Sequence, residues 1–521
     1  MVSRFAALLG YRSSNLPLCL AYLLRGGQFL AMALAVALTA CMSPGPLPFS
    51  NPYGAAPADP AAYWQGESTA GMQQTAISSH PPEESPVDTK LTYDLPALVD
   101  LALNCNPETR ISWEEAKAAA AKLERNRAAW YPTLTAMAFG QYFKTSFPIP
   151  GGALTSYGYS SLGSLNLAWT LFDFGRREAV IDADVQRLSA ANFTFNRKHQ
   201  EIAYRVANSF FAYQAVLAKV TAAQQTLAAA NAGTASVRAK LDQGLATRPD
   251  VLLAVQEQAK ANYDLQDARG SVIQAKADLT TGLGISPSYS LRLIDLSKLP
   301  LPAELVQSVE KIADQALEQR PDLMARLAQL RAREAEVKKA RAEFWPKVSL
   351  GGSLGNQYWG DVHTTPPGYG SYSASNLVGT ALLTIEWTLF DGFERSNAVH
   401  EAEAKKQASK AELEALRLEI IRDIWKAYAN TKTMLEKREF ALALLKAAEE
   451  SYAATQESYN HGFSTVIELL SAQKDLAHAR YTEIDSRATL LQSAATLVYA
   501  TGNQGKEERN AGSETFGHRL P

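Results

Sequence analysis

The stretch Trp169-Thr170-Leu171-Phe172-Asp173-Phe174-Gly175-Arg176 decides the fold, because it returns as Trp387-Thr388-Leu389-Phe390-Asp391-Gly392-Phe393-Glu394. Upstream of both copies, polarity alternates with a period of two. Leu165, Leu167, Trp169 and Leu171 alternate with Asn166 and Thr170; Leu383, Ile385, Trp387 and Leu389 alternate with Thr384, Glu386 and Thr388. That period predicts a strand with one apolar and one polar face. Downstream, both copies turn charged and Ala-rich without proline for roughly 70 residues, enough for a helix on the order of 100 Å long. A strand followed by so long a helix, twice over, points to one architecture duplicated within 521 residues.

The formal net charge of -2 and pI near 6.4 leave no basic surface for nucleic acid. After residue 41 no run reaches the roughly 20 apolar residues that a membrane helix needs. Any crossing of a bilayer must therefore be made by strands. Residues 1–40 read as a signal peptide: Arg25 precedes the apolar run Phe29 to Leu38, which is short for a span but suited to a leader. Leu38-Thr39-Ala40-Cys41 then has the form of a lipobox, with Cys41 the residue to be acylated. With Cys19 in the leader and Cys41 lipidated, only Cys105 of the three cysteines remains, so no intrachain disulfide is expected. Met42 stands where an Asp would commonly retain a lipoprotein at the inner membrane, so the expected destination is the outer membrane of a Gram-negative bacterium.

Residues 41–94 are rich in Pro, Gly, Ser and Ala and read as an extended, lipidated tether. The first repeat is expected over 95–290 and the second over 305–501, with a linker at 291–304 and a polar tail at 502–521. Each repeat opens with a short helix and a second helix closed by a Trp-containing proline turn, Trp130-Tyr131-Pro132 and Trp345-Pro346. Strands follow at about 133–143 and 162–173 in repeat one, and at about 347–358 and 377–391 in repeat two. Segments rich in Gly, Ser, Tyr and Pro, 144–162 and 361–376, read as the loops between them. Strands of about 11 residues suffice to cross a bilayer when tilted. Four cannot close a barrel, and open edges are forbidden in lipid. Pooling among protomers is therefore required, and three chains giving twelve strands is the natural count.

In the long helices Ile202, Val206, Phe210 and Tyr213, and likewise Leu413, Leu416, Ile420 and Ile424, fall at coiled-coil spacings. Each helix ends at a glycine, and the chain returns as a shorter helix. The two tips align: Gly244, Thr247 and Asp250 in the first, and Gly462, Thr465 and Glu468 in the second. Gly relieves the backbone, Thr can cap, and the acid favours the first turn of the returning helix. Capping alone would explain these residues. In a ring of three chains the same acids would also line a narrow closed end and act in gating or cation binding, and both readings stand. Four Trp residues (130, 169, 345 and 387) share one end of the strands, as an interfacial girdle or as packing at the base. Together with Asp173, Gly175, Asp391 and Gly392, Trp169 and Trp387 form the candidate base motif.

The seven His residues form no metal-ligand spacing and no phosphate loop is present, so neither metal nor cofactor is expected. Gly351-Gly352-Ser353-Leu354-Gly355 matches the G-x-S-x-G pattern of a hydrolase elbow. That elbow needs a strand breaking into a helix, whereas here a strand continues, so no catalytic residue is assigned.

With its lipobox, doubled hairpin-and-coil plan and Gly-x-x-Thr tips, the chain resembles the TolC outer-membrane efflux protein family, in its lipoprotein branch, over about Leu95 to Thr501. The resemblance implies a homotrimer with a twelve-stranded β-barrel in the outer membrane and a long α-helical coiled-coil barrel in the periplasm. It also implies a periplasmic membrane-fusion adaptor and an inner-membrane pump, of the resistance-nodulation-division type foremost or of the ABC type, and passive exit of drugs or other solutes. In the family's second tip a Tyr three residues before the Gly, with acids in the following helix, forms the closed constriction, here Tyr459, Gly462 and Glu468. Ser464 and Ser471 replace a basic residue and a second acid of some members, which puts their salt-bridge latch in question. A type I protein-secretion duct and a lipid-anchored coiled-coil scaffold without a pore remain the alternatives.

Overall fold

The computed structural model describes residues 87, 91–295, 301–302, 305, 307–365 and 371–502. The leader, Cys41, nearly all of the tether and the polar tail beyond Gly502 lie outside them. The described chain falls into two units. A sheet unit takes Asn126–Glu178 and Lys338–Ser396, and a helical unit takes the described parts of Ser78–Arg125, Ala179–Val337 and Asn397–Pro521.

The sheet unit holds four antiparallel strands: β2 (Thr133–Ile149), β3 (Gly152–Phe172), β5 (Lys347–Thr365) and β6 (Ser371–Glu386), in the order β2-β3-β5-β6. The two hairpins have the same register. Thr133 faces Ala168 in the first and Lys347 faces Glu386 in the second. Across the middle, β3 meets β5 with Ala168 opposite Gly351 and Leu165 opposite Leu354. One face carries Leu134, Leu165, Leu354, Leu383 and Ile385, all exposed, and the other carries polar pairs such as Ser353 with Thr380 and Gln141 with Ser160. β2 and β6 are hydrogen-bonded to another strand on one side only.

The strands have 17, 21, 19 and 16 residues, longer than the expected 11 or so. Much of 144–162 is strand and not loop. Lys144 pairs with Tyr157, Ser146 with Thr155, and the chain reverses only at Pro150-Gly151, with Gly151 at φ 90. Gly, Ser and Tyr mark this stretch as polar, but the cross-strand partners decide its structure, including the Ser146–Thr155 hydroxyl bond at 2.8 Å and the Tyr142–Tyr159 ring pair. Pro148 is tolerated because β2 is an edge. Likewise β5 runs on to Thr365 and β6 begins at Ser371. At its other end β6 stops at Glu386, short of the expected 391, as the chain bends into the turn at Asp391.

The helical unit begins with β1 (Thr92–Tyr93), which pairs in parallel with β4 (Arg292–Leu293), so the end of the tether and the start of the linker form a small ribbon. Repeat one supplies α1 (Leu95–Cys105), α2 (Pro107–Arg127), α3 (Arg176–Asp242) and α4 (Arg248–Leu283). Repeat two supplies α5 (Val309–Gln319), α6 (Pro321–Ala342), α7 (Glu394–Asn460) and α8 (Val466–Thr501). The long helices α3 and α7 each have 67 residues, about 100 Å at the usual rise. The end of α4 abuts the start of α2, where Asn106 Nδ2 donates to Gly282 O at 2.9 Å, and the end of α8 abuts α6, where Arg320 Nη1 donates to Ala500 O at 2.9 Å. The buried cores sit at these junctions. Leu98, Ile202, Val206, Phe210 and Leu279 pack in repeat one, and Ala313, Ile420, Ile424 and Leu497 in repeat two. Burying a Phe or Leu side chain contributes about 1.5–3 kcal/mol each, which pins the joints of helices with too little apolar face to stand alone. Among the described residues no helix is long and apolar enough to cross a membrane.

Candidate functional site: the paired turns and the paired tips

After each returning strand the chain turns on two successive residues with positive φ, Phe174 (51) and Gly175 (88) in one copy, Gly392 (66) and Phe393 (71) in the other. The glycine and the phenylalanine exchange places, yet the backbone path is kept. A non-glycine residue there costs about 1–2 kcal/mol, and the hydrogen bonds around the turn offset it. Asp173 Oδ2 accepts from the Arg177 backbone N–H and from Arg177 Nε, both at 3.1 Å. Arg177 Nη1 donates to Thr170 O at 2.7 Å and Ala129 O at 3.2 Å, and Nη2 to Leu171 O at 3.1 Å. Its guanidinium lies 4.2 Å from the Trp130 ring and is only 9 % exposed.

The second copy repeats the plan: Arg395 binds Asp391 Oδ2 through its backbone N–H and Nε, donates to Glu343 O and lies over Phe344. Arg395 holds the Asp391 carboxyl below the usual carboxylate range through that side-chain bond. The indoles complete the match, Trp169 Nε1 donating to Trp130 O at 3.0 Å and Trp387 Nε1 to Phe344 O at 3.1 Å. Asp173, Gly175, Asp391 and Gly392 thus belong to two copies of one fastening. Arg177 and Arg395, its centres, were missed, although Asp-x-x-x-Arg recurs in both copies.

At the tips, α3 and α7 end at Gly244 (φ 75) and Gly462 (φ 82). In the second tip Thr465 and Glu468 cap reciprocally: Thr465 N–H donates to Glu468 Oε2 at 2.8 Å and Glu468 N–H to Thr465 Oγ1 at 3.3 Å. In the first, Asp250 Oδ2 accepts both the Thr247 N–H at 2.8 Å and the Thr247 hydroxyl at 2.6 Å, and these bonds hold the carboxyl below its ordinary range. Both acids are therefore engaged in capping.

What joins the two tips is Tyr459, only 5 % exposed, packed with Val237, Ala254, Val466 and Leu469. Lys240 lies across it, with Nζ 3.6 Å from the ring centroid while donating to Tyr459 O. The tyrosine hydroxyl is buried without a hydrogen-bond partner, and burial, with Asp250 nearby, pushes its pKa up. Sequence reasoning did not find Lys240, which is 219 residues from its partner. Leu245, Leu252, Phe463 and Ile467 stand exposed around the tips.

Among the described residues no cluster of His, Cys, Asp and Glu could hold a metal. Two hairpins, two long coils and matched fastenings at both ends of each repeat define a duplicated hairpin-and-coil protein. The model of the outer membrane efflux protein family matches residues 98–285 and 312–503, most of the chain, and the chain belongs to that family. Among relatives, it is 29 % identical to Protein CyaE of Bordetella pertussis over 412 residues, covering 78 % of this chain and 84 % of that one. It is 25 % identical to outer membrane protein OprJ of Pseudomonas aeruginosa over 497 residues, covering 94 % and 98 %. A crystal structure of a Pseudomonas aeruginosa membrane protein matches in fold with a TM-score of 0.67 at 23 % identity, covering 82 % of this chain and 98 % of that one.

Proposed function

We propose that this chain is the outer-membrane exit channel of a tripartite efflux system, a passive conduit for drugs or other solutes driven by an inner-membrane pump through a periplasmic adaptor. Family membership supports the reading. The observation that carries it is the four-stranded sheet, with one apolar face and hydrogen-bonding edges left open at β2 and β6. Unpaired edges cost several kcal/mol per group in lipid, so the edges must be closed by other copies. Three copies, twelve strands and a barrel wide enough for solutes satisfy that need, with the long helices forming a coiled-coil barrel in the periplasm. Lipidation at Cys41 adds a membrane anchor, and a pump of the resistance-nodulation-division type is the favoured partner.

The Gly244 and Gly462 ends form the closable aperture. Tyr459 holds the two repeats together there, while Thr247, Asp250, Thr465 and Glu468 shape the turns. Trp169 and Trp387, with their aspartates, brace the base of the strands. The test is reconstitution of detergent-purified protein in planar bilayers. A heat-modifiable trimer with discrete single-channel conductance is expected, raised by Tyr459→Ala. A monomer without conductance would favour a scaffold and sink the proposal.

A further inference from the structure

The apolar face of the sheet, which bears Leu134, Leu165, Leu354 and Leu383, is bounded by aromatic rings at both ends. Trp169 stands at the base. Tyr159, ten residues away on β3, lies opposite Tyr142 with ring centroids 5.3 Å apart. Ten residues span about 33 Å of strand and about 25 Å of height at a tilt near 40°, the height of the apolar band of an outer-membrane barrel. Between these two ends the face carries no Asp, Glu, Lys, Arg or His.

The first charge on this face comes two residues beyond the tyrosines. Lys144 faces Tyr157, and Tyr157 faces His363 with ring centroids 5.3 Å apart and planes at 32°. The three form a row across β2, β3 and β5, about 5 Å above the apolar band. His363 reaches it only because β5 has one residue too many. Leu350, Leu354 and Tyr358 put the even positions of β5 on the apolar face, and His363 joins them past the register shift between Trp359 and Val362. In that bulge Asp361 is held at φ 47, uncommon for a residue with a Cβ, and a Cβ on the neighbouring Gly158 would lie 2.9 Å from Asp361 O. A regular β5 would turn His363 to the polar side. Lys144 and His363 are exposed, and among the described residues neither they nor the Tyr157 hydroxyl has a hydrogen-bond or ion-pair partner. The next row up is hydroxylic, Ser146, Thr155 and Thr365.

We infer that the row of Lys144, Tyr157 and His363 binds the phosphorylated headgroup of a glycolipid in the outer leaflet. Lys144 supplies the positive charge, His363 and Tyr157 supply N–H and O–H donors to phosphate oxygens, and the hydroxyls above meet the sugar. The acyl chains lie over Tyr142, Tyr159 and Leu165. A cation at the rim of a charge-free apolar wall matches a ligand with one anionic and one apolar end, which a free anion lacks. The inference rests on the reading of the sheet as part of an outer-membrane barrel and adds to it a lipid site.

The test incubates the full chain, purified in detergent, with diphosphoryl lipid A and counts bound lipid by native mass spectrometry. One cation near an anionic lipid surface changes affinity about fivefold. Lys144→Gln is therefore expected to lower retention about fivefold and Lys144→Arg to keep it. His363→Gln lowers it by a smaller factor, and Lys347→Gln, on the polar face at the base, leaves it unchanged. Removing both phosphates from the lipid lowers retention on the parent chain as Lys144→Gln does, and abolishes the difference between the two chains. Retention that ignores the phosphates, that Lys144→Gln leaves unchanged, or that Lys347→Gln lowers equally overturns the site. Displacement of the lipid by millimolar orthophosphate overturns it too, since the row would then be an anion site and not a lipid one. All these outcomes leave single-channel conductance standing. A parent chain without conductance in planar bilayers brings down the channel reading itself, and the lipid site with it.

Discussion

Where repeat one brings Asn106 to the end of α4, repeat two brings Arg320 to the end of α8. Each stands just before the proline that starts the next helix, and each returning helix stops at a glycine in the left-handed region, Gly284 (φ 76) and Gly502 (φ 74). In repeat one a neutral amide suffices, its Nδ2 on Gly282 O and its Oδ1 taking the Glu108 N–H at 2.9 Å. In repeat two the joint is ionic. Arg320 spans Ala500 O and both oxygens of Asp322, Arg197 reaches Tyr499 O at 3.1 Å and lies 3.8 Å over the Tyr499 ring, and Gln200 Nε2 donates to Gly502 O. The same backbone problem, carbonyls left over at a helix end, has a cheap solution and a heavily wired one. The wired joint is the more vulnerable to a single change.

The largest difference should therefore appear there. Arg320→Ala removes the bidentate partner of Asp322, whose burial works against its charge while Arg320 and Arg197 hold its pKa below the ordinary range, and leaves it only Arg197 at 3.5 Å and the Leu323 N–H. Removing one partner of a buried pair costs about 3–5 kcal/mol. Asn106→Ala loses a neutral bond and leaves one carbonyl short, about 1–3 kcal/mol. Amide hydrogen exchange read at the last turns of α8 and α4 should show the larger loss of protection in α8. Equal losses would mean that the ionic wiring adds nothing to the neutral cap.

A second contrast lies in the coils. Arg438 of α7 and Glu483 of α8 are paired at 2.8 Å, with Arg438 8 % exposed and its Nε and Nη1 lacking hydrogen-bond partners. Counted from the tip glycines, the same positions of repeat one are Val220 and Leu265, both apolar. A buried pair with unmet donors is weak support for stability, and an apolar pair of similar size is often neutral or better. Arg438→Ala alone is expected to destabilise by about 3 kcal/mol, whereas Arg438→Val with Glu483→Leu, which writes repeat one into repeat two, stays within about 1 kcal/mol of the parent. Chemical denaturation of the purified protein in detergent compares them. A double variant as damaged as the single one would show that the ion pair stabilises in its own right.

Much of this was legible beforehand because it is periodic or local. Period-two alternation gave the hairpins, the unbroken Ala-rich stretches gave the long helices, and Gly-x-x-Thr gave the tips, since each signal lies within a dozen residues. Strand length was not legible. Ser146 and Tyr159 look like loop until Thr155 and Tyr142 stand opposite them. Nor were the fastenings. An arginine in the first turn of a long helix reads as solvated, and only Asp173 folding back shows Arg177 buried beneath Trp130. Lys240, Arg438 and Arg320 acquire meaning from partners brought together by tertiary packing, which no spacing rule reaches.

The smallest expected effects separate the two tips. Lys240, from repeat one, caps a carbonyl of repeat two and covers Tyr459, whereas Ser458, at the lysine's position in repeat two, makes no equivalent reach among the described contacts. A hydrogen bond and a cation–π contact are together worth about 1–2 kcal/mol, so Lys240→Met should raise uptake of a large antibiotic through the proposed aperture by roughly five- to thirtyfold, with Lys240→Arg retaining closure. Glu468→Gln and Asp250→Asn disturb only the caps and should move uptake less.

The sign of the pH effect follows from Asp250. Its carboxyl is depressed by the Thr247 hydroxyl and N–H, so its contribution is full above the ordinary Asp value and is lost only as pH falls through the depressed one. Closure should then be flat from neutral pH down to about 5. Opening in that window would show that a group other than the tip aspartate controls the aperture, and the contrast between a lysine-fastened joint and acid-capped turns would have to be abandoned.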